Sequence, residues 1–223
     1  MRVVVAGGHG QIGQHLLRLL AERGDDGVAM IRDPAQIAGI QSLGSDAVVI
    51  DLENSSPEQL AGVLQGADAV VFAAGAGPGS GIERKDTVDR AGSVLLADAA
   101  EQAGVRRFLQ VSSFGAGEDA PEGTDEAFAA YLAAKTAAEQ DLTARSQLDW
   151  TVLRPGGLTN DDPTGTVRLS APPLRRGQVP RADVAAVLVA LLDAPETAGQ
   201  ILMLTSGDTP IAEAVASQGG HRG

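Results

Sequence analysis

Tyr131 is the only tyrosine in the chain, and Lys135, one of two lysines, follows it four residues later in "YLAAK". The stretch is alanine-rich and reads as helix, so a spacing of four puts both side chains on one face. An ammonium near a phenol favours the phenolate, which makes a tyrosine hydroxyl usable as a general acid or base near neutral pH. The pair therefore suits proton transfer to or from a substrate oxygen. The competing reading is a half-buried tyrosine beside a surface lysine. The second lysine is Lys85.

Gly7, Gly10 and Gly13 punctuate "VVVAGGHGQIGQHL", between a β-branched run and a helical stripe. A glycine at a strand end allows a sharp turn, a second lets backbone approach a pyrophosphate, and a third lets helix and strand pack closely. The helix that follows offers free N–H groups and the positive end of its dipole. Placed after the first strand of a strand–helix–strand pattern, this G-x-x-G-x-x-G spacing predicts a dinucleotide site. Arg32 ends the second strand, where an acidic residue would bind the ribose 2′-hydroxyl of NAD. A guanidinium suits a 2′-phosphate, so NADP is expected ahead of NAD; the alternative is a solvated strand-end charge. Asp33, before Pro34, is expected to cap a short helix. Asp51, at the end of the third strand, either reaches the adenine amino group or is a turn residue.

These residues need a scaffold, and the hydrophobic pattern supplies one. Strands are expected at 2–7, 27–32, 46–51, 67–75, 106–113, 150–156 and 200–206. Helices are expected at 11–23, 56–66, 86–103, 125–146 and 181–193, with a short one after Pro34. Short apolar strands separated by helices imply crossover connections and a mostly parallel sheet covered on both faces. The expected class is α/β: a single doubly wound Rossmann domain over 1–215, with a small C-terminal substrate region. Residues 155–180 are longer than a connector needs and are expected to act as a lid. Residues 216–223 are expected to be a disordered tail.

Composition bounds the function. At 223 residues the chain can bury one sizeable core. With no cysteine, it forms no disulfide or thiolate metal site. His9, His15 and His221 have no ligand spacing, so no metal is expected. The net charge of −12 argues against nucleic acid as a partner. No apolar run approaches the roughly 20 residues of a membrane span. A cytoplasmic protein with a small-molecule substrate, monomeric or homodimeric, fits these bounds.

"VAGGHGQIG", "VIDLEN", "VVFAAG", "VSSF", "YLAAK" and "LRPGGLT" resemble, in order and spacing, the short-chain dehydrogenase/reductase superfamily. More narrowly the chain resembles its atypical members of the NAD(P)-dependent epimerase/dehydratase-like, NAD(P)H-binding kind. The resemblance implies cofactor contacts from Gly7, Gly10, Gln11, Ile12 and Gly13 in the glycine loop. It also implies Asp51 and Leu52 after the third strand and Ala73, Ala74 and Gly75 after the fourth. Lys135 would hold the nicotinamide ribose, and Pro155, Gly156, Gly157 and Leu158 would flank the carboxamide. Tyr131 would be the acid/base and Ser113, rather than Ser112, would polarise the substrate oxygen. An asparagine usually occupies the place of Asp89. Asparagine donates and accepts whereas an ionised aspartate only accepts, so the usual proton relay is in question and Asp89 is expected to pair with Lys135.

Arg154 is expected to form a structural ion pair. Arg168, Arg175, Arg176 and Arg181 surround the expected lid, and they read equally as an anion site or as a solvated loop with an Arg181–Asp183 helix start. The leading reading is an NADP-dependent oxidoreductase or epimerase-like enzyme acting on a small carbonyl or hydroxyl substrate. The rivals are a non-catalytic NADP(H)-binding redox sensor and a flavin or quinone reductase working by direct hydride transfer.

Overall fold

The computed structural model describes residues 1–77, 79–120 and 123–221. The β-branched and apolar runs become β1 (Arg2–Ala6), β2 (Asp26–Ile31), β3 (Asp46–Val49), β4 (Ala69–Phe72), β5 (Arg107–Val111) and β6 (Asp149–Pro155). Then come β7 (Gly157–Thr159), β8 (Thr166–Ser170), β9 (Gln178–Pro180), β10 (Gln200–Ser206) and β11 (Thr209–Pro210). The main sheet has the order β11-β8-β10-β6-β5-β4-β1-β2-β3. From β10 to β3 every neighbour is parallel; β8 joins antiparallel to β10, and β11 antiparallel to β8.

The helices are α1 (Gln11–Arg23), α2 (Ile37–Gln41), α3 (Pro57–Leu64), α4 (Ile82–Arg84), α5 (Gly92–Ala103), α6 (Glu126–Thr143), α7 (Arg181–Leu192) and α8 (Ile211–Ala216). The strand period of two splits the core into two layers. Val3, Val5, Val71 and Leu109 pack with Leu16, Leu20, Val187 and Leu191 of α1 and α7. Val4, Val70, Phe72 and Phe108 pack with Leu60, Leu64, Leu96 and Leu142 of α3, α5 and α6. After β3 the chain returns to the other side of β1, so β1 and β4 are adjacent and the order reverses between them. In a doubly wound sheet the crevice at such a reversal receives the ligand.

Three features differ from the sequence-based expectation. Residues 155–180 are not one irregular lid, because β8 extends the main sheet and β7 pairs with β9. Alternation of Val167 and Leu169, both buried, was the overlooked strand signal. The tail is partly ordered: Ser217–His221 continue from α8 as a 3-10 turn, and Gln218 donates to the carbonyls of Leu169 and Ala214. Arg222 and Gly223 lie outside the described residues. Finally, α4 and α5 are joined by a π-helical stretch, Lys85–Ala91. Its widened turns, frequent at functional sites, carry Lys85 and Asp89.

Candidate functional site

The glycine loop closes tightly at the β1–β4 reversal. Gly7 adopts φ +82°, and a Cβ there would lie 2.6 Å from Ala74 Cα. Gly13 faces the back of the loop, where a Cβ would meet Gly7 O at 2.4 Å. Both positions thus exclude a side chain for packing reasons. Gly10 is the N-cap of α1 and supplies no side-chain acceptor, and the first turn holds no acidic residue. The leading N–H groups of a 13-residue helix are therefore uncapped at the crevice. Gly10, Gln11, Ile12, Ala73, Ala74 and Gly75 line one wall of a cavity of about 670 Å³.

The opposite wall comes from α6 and the π-helical stretch. Tyr131 and Lys135 fall on one face of α6, as their spacing requires. Lys135 is 4% exposed. Its ammonium donates to Val111 O at 3.2 Å and meets Asp89 Oδ1 at 3.2 Å. Asp89 is completely buried, and its other oxygen accepts from the Ala76 N–H at 3.0 Å. A buried ammonium needs such partners, because leaving it unpaired costs several kcal/mol (on the order of 3–5). Lys135 Nζ stands 5.7 Å from the centre of the Tyr131 ring and 5.6 Å from that of Phe72. The expected Lys135–Asp89 pair is thus formed directly under the tyrosine.

One turn further along α6 the same face carries Glu139, also buried. It accepts from the Ser112 hydroxyl and from Arg154, whose Nε lies 3.0 Å from Oε1. This is the structural ion pair expected of Arg154, and it commits Ser112 to the scaffold. Ser112 nonetheless lines both the cavity and a second recess, whereas Ser113, its hydroxyl donating to Phe114 O at 3.3 Å, lines only the second, with Tyr131, Pro155, Gly156, Gly157, Leu158, Arg176 and Arg181. The backbone donors of the glycine pair are occupied there. Gly156 N–H reaches Leu204 O at 2.8 Å and Gly157 N–H reaches Gly177 O at 2.9 Å. Contacts from this segment to a carboxamide must therefore come from carbonyls or from Leu158, which lines both recesses.

The other end of the crevice is lined by Gly7, Gly10, Arg32, Asp51, Leu52, Ala74, Gly75 and Arg84, with Glu53. Asp33 caps the 3-10 turn Pro34–Gln36, as its position before proline predicts. Asp51 accepts from Asn54 Nδ2 at 2.8 Å and from the Glu53 N–H at 3.0 Å, and the Asn54 hydrogen bond leads in holding its carboxyl below the usual range. Glu53 accepts from Arg84 at 2.7 Å and from Thr87 at 2.6 Å. Arg84 is the main reason its carboxyl is held low. Arg32 reaches Glu53 only at 3.5 Å and is 60% exposed, so its guanidinium can turn to an incoming phosphate.

The four late arginines divide. Arg168 and Arg175 line a separate recess with Asp161 and Asp162. Arg176 and Arg181 reach the Tyr131 side. Helix α7 starts at Arg181 with Asp183 in its first turn, as expected, without an ion pair between the two. The Arg181 guanidinium donates to Asn160 Oδ1 at 2.8 Å, while Asp183 accepts from Thr164 and from the Gly165 N–H. Sequence reasoning missed Glu139, whose signal was its i+4 spacing from Lys135. It also missed Phe128, stacked on Tyr131 with centroids 5.9 Å apart, and the role of Lys85. Among the described residues no cluster suits a metal ion, and no helix is long and apolar enough to cross a membrane.

Known proteins resemble this chain in sequence and fold. A Bacillus subtilis protein described as an uncharacterized sugar epimerase, YhfK, is 41% identical over 216 residues, 96% of this chain and 99% of that one. A solved structure from Bacillus halodurans, described as a candidate NAD-dependent epimerase/dehydratase, superposes with TM-score 0.88. It is 36% identical and covers 97% of this chain and 99% of its own. ChuY, an anaerobillin reductase of Escherichia coli O157:H7, has TM-score 0.77 at 28% identity, covering 93% of this chain and 98% of its own. A family model described as NAD(P)H-binding matches residues 7–195. This chain belongs to the NAD(P)H-binding family, among oxidoreductase and epimerase-like relatives.

Proposed function

We propose that the protein is an NADP(H)-dependent oxidoreductase or epimerase/dehydratase-like enzyme acting on a small carbonyl or hydroxyl substrate. The observation that carries this reading is the placement of Tyr131 over the buried Lys135–Asp89 pair, at the wall facing the glycine loop. The uncapped start of α1 would hold the diphosphate and Arg32 the 2′-phosphate, with Lys135 near the nicotinamide ribose. A bound nicotinamide supplies or accepts the hydride. Tyr131 gives a proton to the substrate oxygen, or takes one from it, while the Lys135 ammonium offsets charge developing on the phenol. Ser113, whose hydroxyl rests on Phe114 O at 3.3 Å, turns to donate to the same oxygen.

Parallel fluorescence titrations with NADPH and NADH, followed by a carbonyl screen of wild type and Tyr131→Phe, test the proposal. Tight NADPH binding by both proteins, with turnover only in wild type, is the expected result. Equal turnover in the two would defeat the tyrosine assignment. A second reading, hydride transfer to a flat conjugated acceptor without tyrosine chemistry, is favoured by the exposed Phe128–Tyr131 ring pair at the cavity wall. ChuY, a reductase of anaerobillin, lends it support. Flavin and quinone reduction that survives in Tyr131→Phe would select this reading.

A further inference from the structure

Both lysines of the chain flank its one tyrosine. Lys135 has Asp89 as counter-charge, but Lys85 has none of that kind. Lys85 lies four residues before Asp89 on the π-helical stretch and is 8% exposed. Its ammonium donates to Gly77 O at 2.6 Å and stands 5.8 Å from the centre of the Tyr131 ring. Among the described residues no carboxylate lies within ion-pair distance of it. An ammonium taken from water and given one neutral acceptor is costly to keep, and such groups concentrate at functional sites.

The surrounding cavity sharpens the point. Among the described residues, Lys85, Lys135 and Arg181 line it, with Asp89 and Asp125 as the carboxylates. Asp89 is engaged with Lys135, and Asp125 accepts the Phe128 N–H as the cap of α6. Arg181, which lines both recesses, donates to the neutral side chain of Asn160 and has no carboxylate partner among the described residues. The cavity is thus net positive in a chain of net charge −12. Ile12, Val111, Phe128 and Leu158 give it apolar surface, beside the neutral polar side chains of Gln11, Ser80, Ser112 and Tyr131. Phe128 and Leu158 are among the few large apolar side chains left exposed.

The geometry points to an aromatic or unsaturated carboxylate as the substrate class, and this rests on reading the cavity as the substrate pocket. The carboxylate is held by Lys85 Nζ, with Arg181 beside the entrance. The apolar body lies against Phe128 and Leu158, within reach of Tyr131. Lys85 is thereby a specificity-determining residue, and its charge is neutralised by the ligand rather than by the protein.

Calorimetric titration of trans-cinnamate and neutral cinnamamide into the full chain, with and without NADP⁺, tests this. Cinnamate is expected to bind wild type about tenfold or more tighter than cinnamamide, the size of a charge-assisted hydrogen bond. Lys85→Met should erase that preference while leaving cinnamamide and NADPH affinities unchanged, and Lys85→Arg should restore part of it. If Lys85→Met does not fold, Lys85→Gln and Arg181→Gln carry the same comparison. Equal binding of acid and amide, binding of neither, or a preference that persists without the Lys85 charge overturns the proposal. Loss of NADPH affinity in Lys85→Met instead would assign the lysine to the cofactor diphosphate and also overturn it. Cinnamate selectivity in a wild type that binds no NADPH would sustain this inference while ending the oxidoreductase reading.

Discussion

The two ends of the crevice hold charge in different ways. At the Arg32 end, Arg32, Arg84, Asp51 and Glu53 form a chain of ion pairs and hydrogen bonds that is partly exposed. At the Tyr131 end, Lys135, Asp89 and Glu139 are almost wholly buried, each fixed by more than one partner. Exposed pairs are screened and cost little to rearrange. Buried pairs are costly to break, because removing one member strands the other away from water. The first arrangement suits recognition of a phosphate that arrives with its own charge. The second suits a reacting group whose surroundings must not move.

The sharpest way to break the contrast is to remove one member from each end. Asp89→Ala strips Lys135 of its carboxylate and is expected to destabilise the fold by about 3–5 kcal/mol, read as a lowered urea midpoint. Glu53→Ala should barely move that midpoint. Equal losses at both ends would mean that burial does not distinguish them. Next in size, Tyr131→Phe is expected to lower turnover of a reactive carbonyl by about a hundredfold or more, with NADPH affinity unchanged.

Arg32→Gln should weaken NADPH by about tenfold, one charge-assisted hydrogen bond, and leave NADH as it was. An equal effect on both cofactors would remove Arg32 from the 2′-phosphate. The smallest effect concerns acid. Arg84 holds the folded Glu53 carboxyl below its ordinary value. Its contribution is therefore complete above the ordinary glutamate range and is lost as pH falls through that range toward the lowered folded value. Glu53→Gln should flatten the acid limb of stability against pH slightly, and a steeper limb would reverse the assigned sign.

Sequence alone carried the scaffold and much of the site. The β-branched runs, the glycine triplet and the cap at Asp33 are local, and local sterics and hydrogen bonding decide them wherever the chain folds. Tyr131 and Lys135 share a face for the same reason, since helix periodicity needs no partner. Inside 155–180, β7 and β9 are only three residues each and exist through their pairing with one another, whereas β8 carries a local alternation at Val167 and Leu169. Lys85 and Glu139 were missed for a tertiary reason too. Their spacing to Asp89 and Lys135 is plain, but burial is not a property of spacing. Only tertiary packing turned one carboxylate toward Arg154 and left one ammonium facing Tyr131 with no carboxylate beside it among the described residues. Burial sets what a charge costs, and that cost is decided when the layers close.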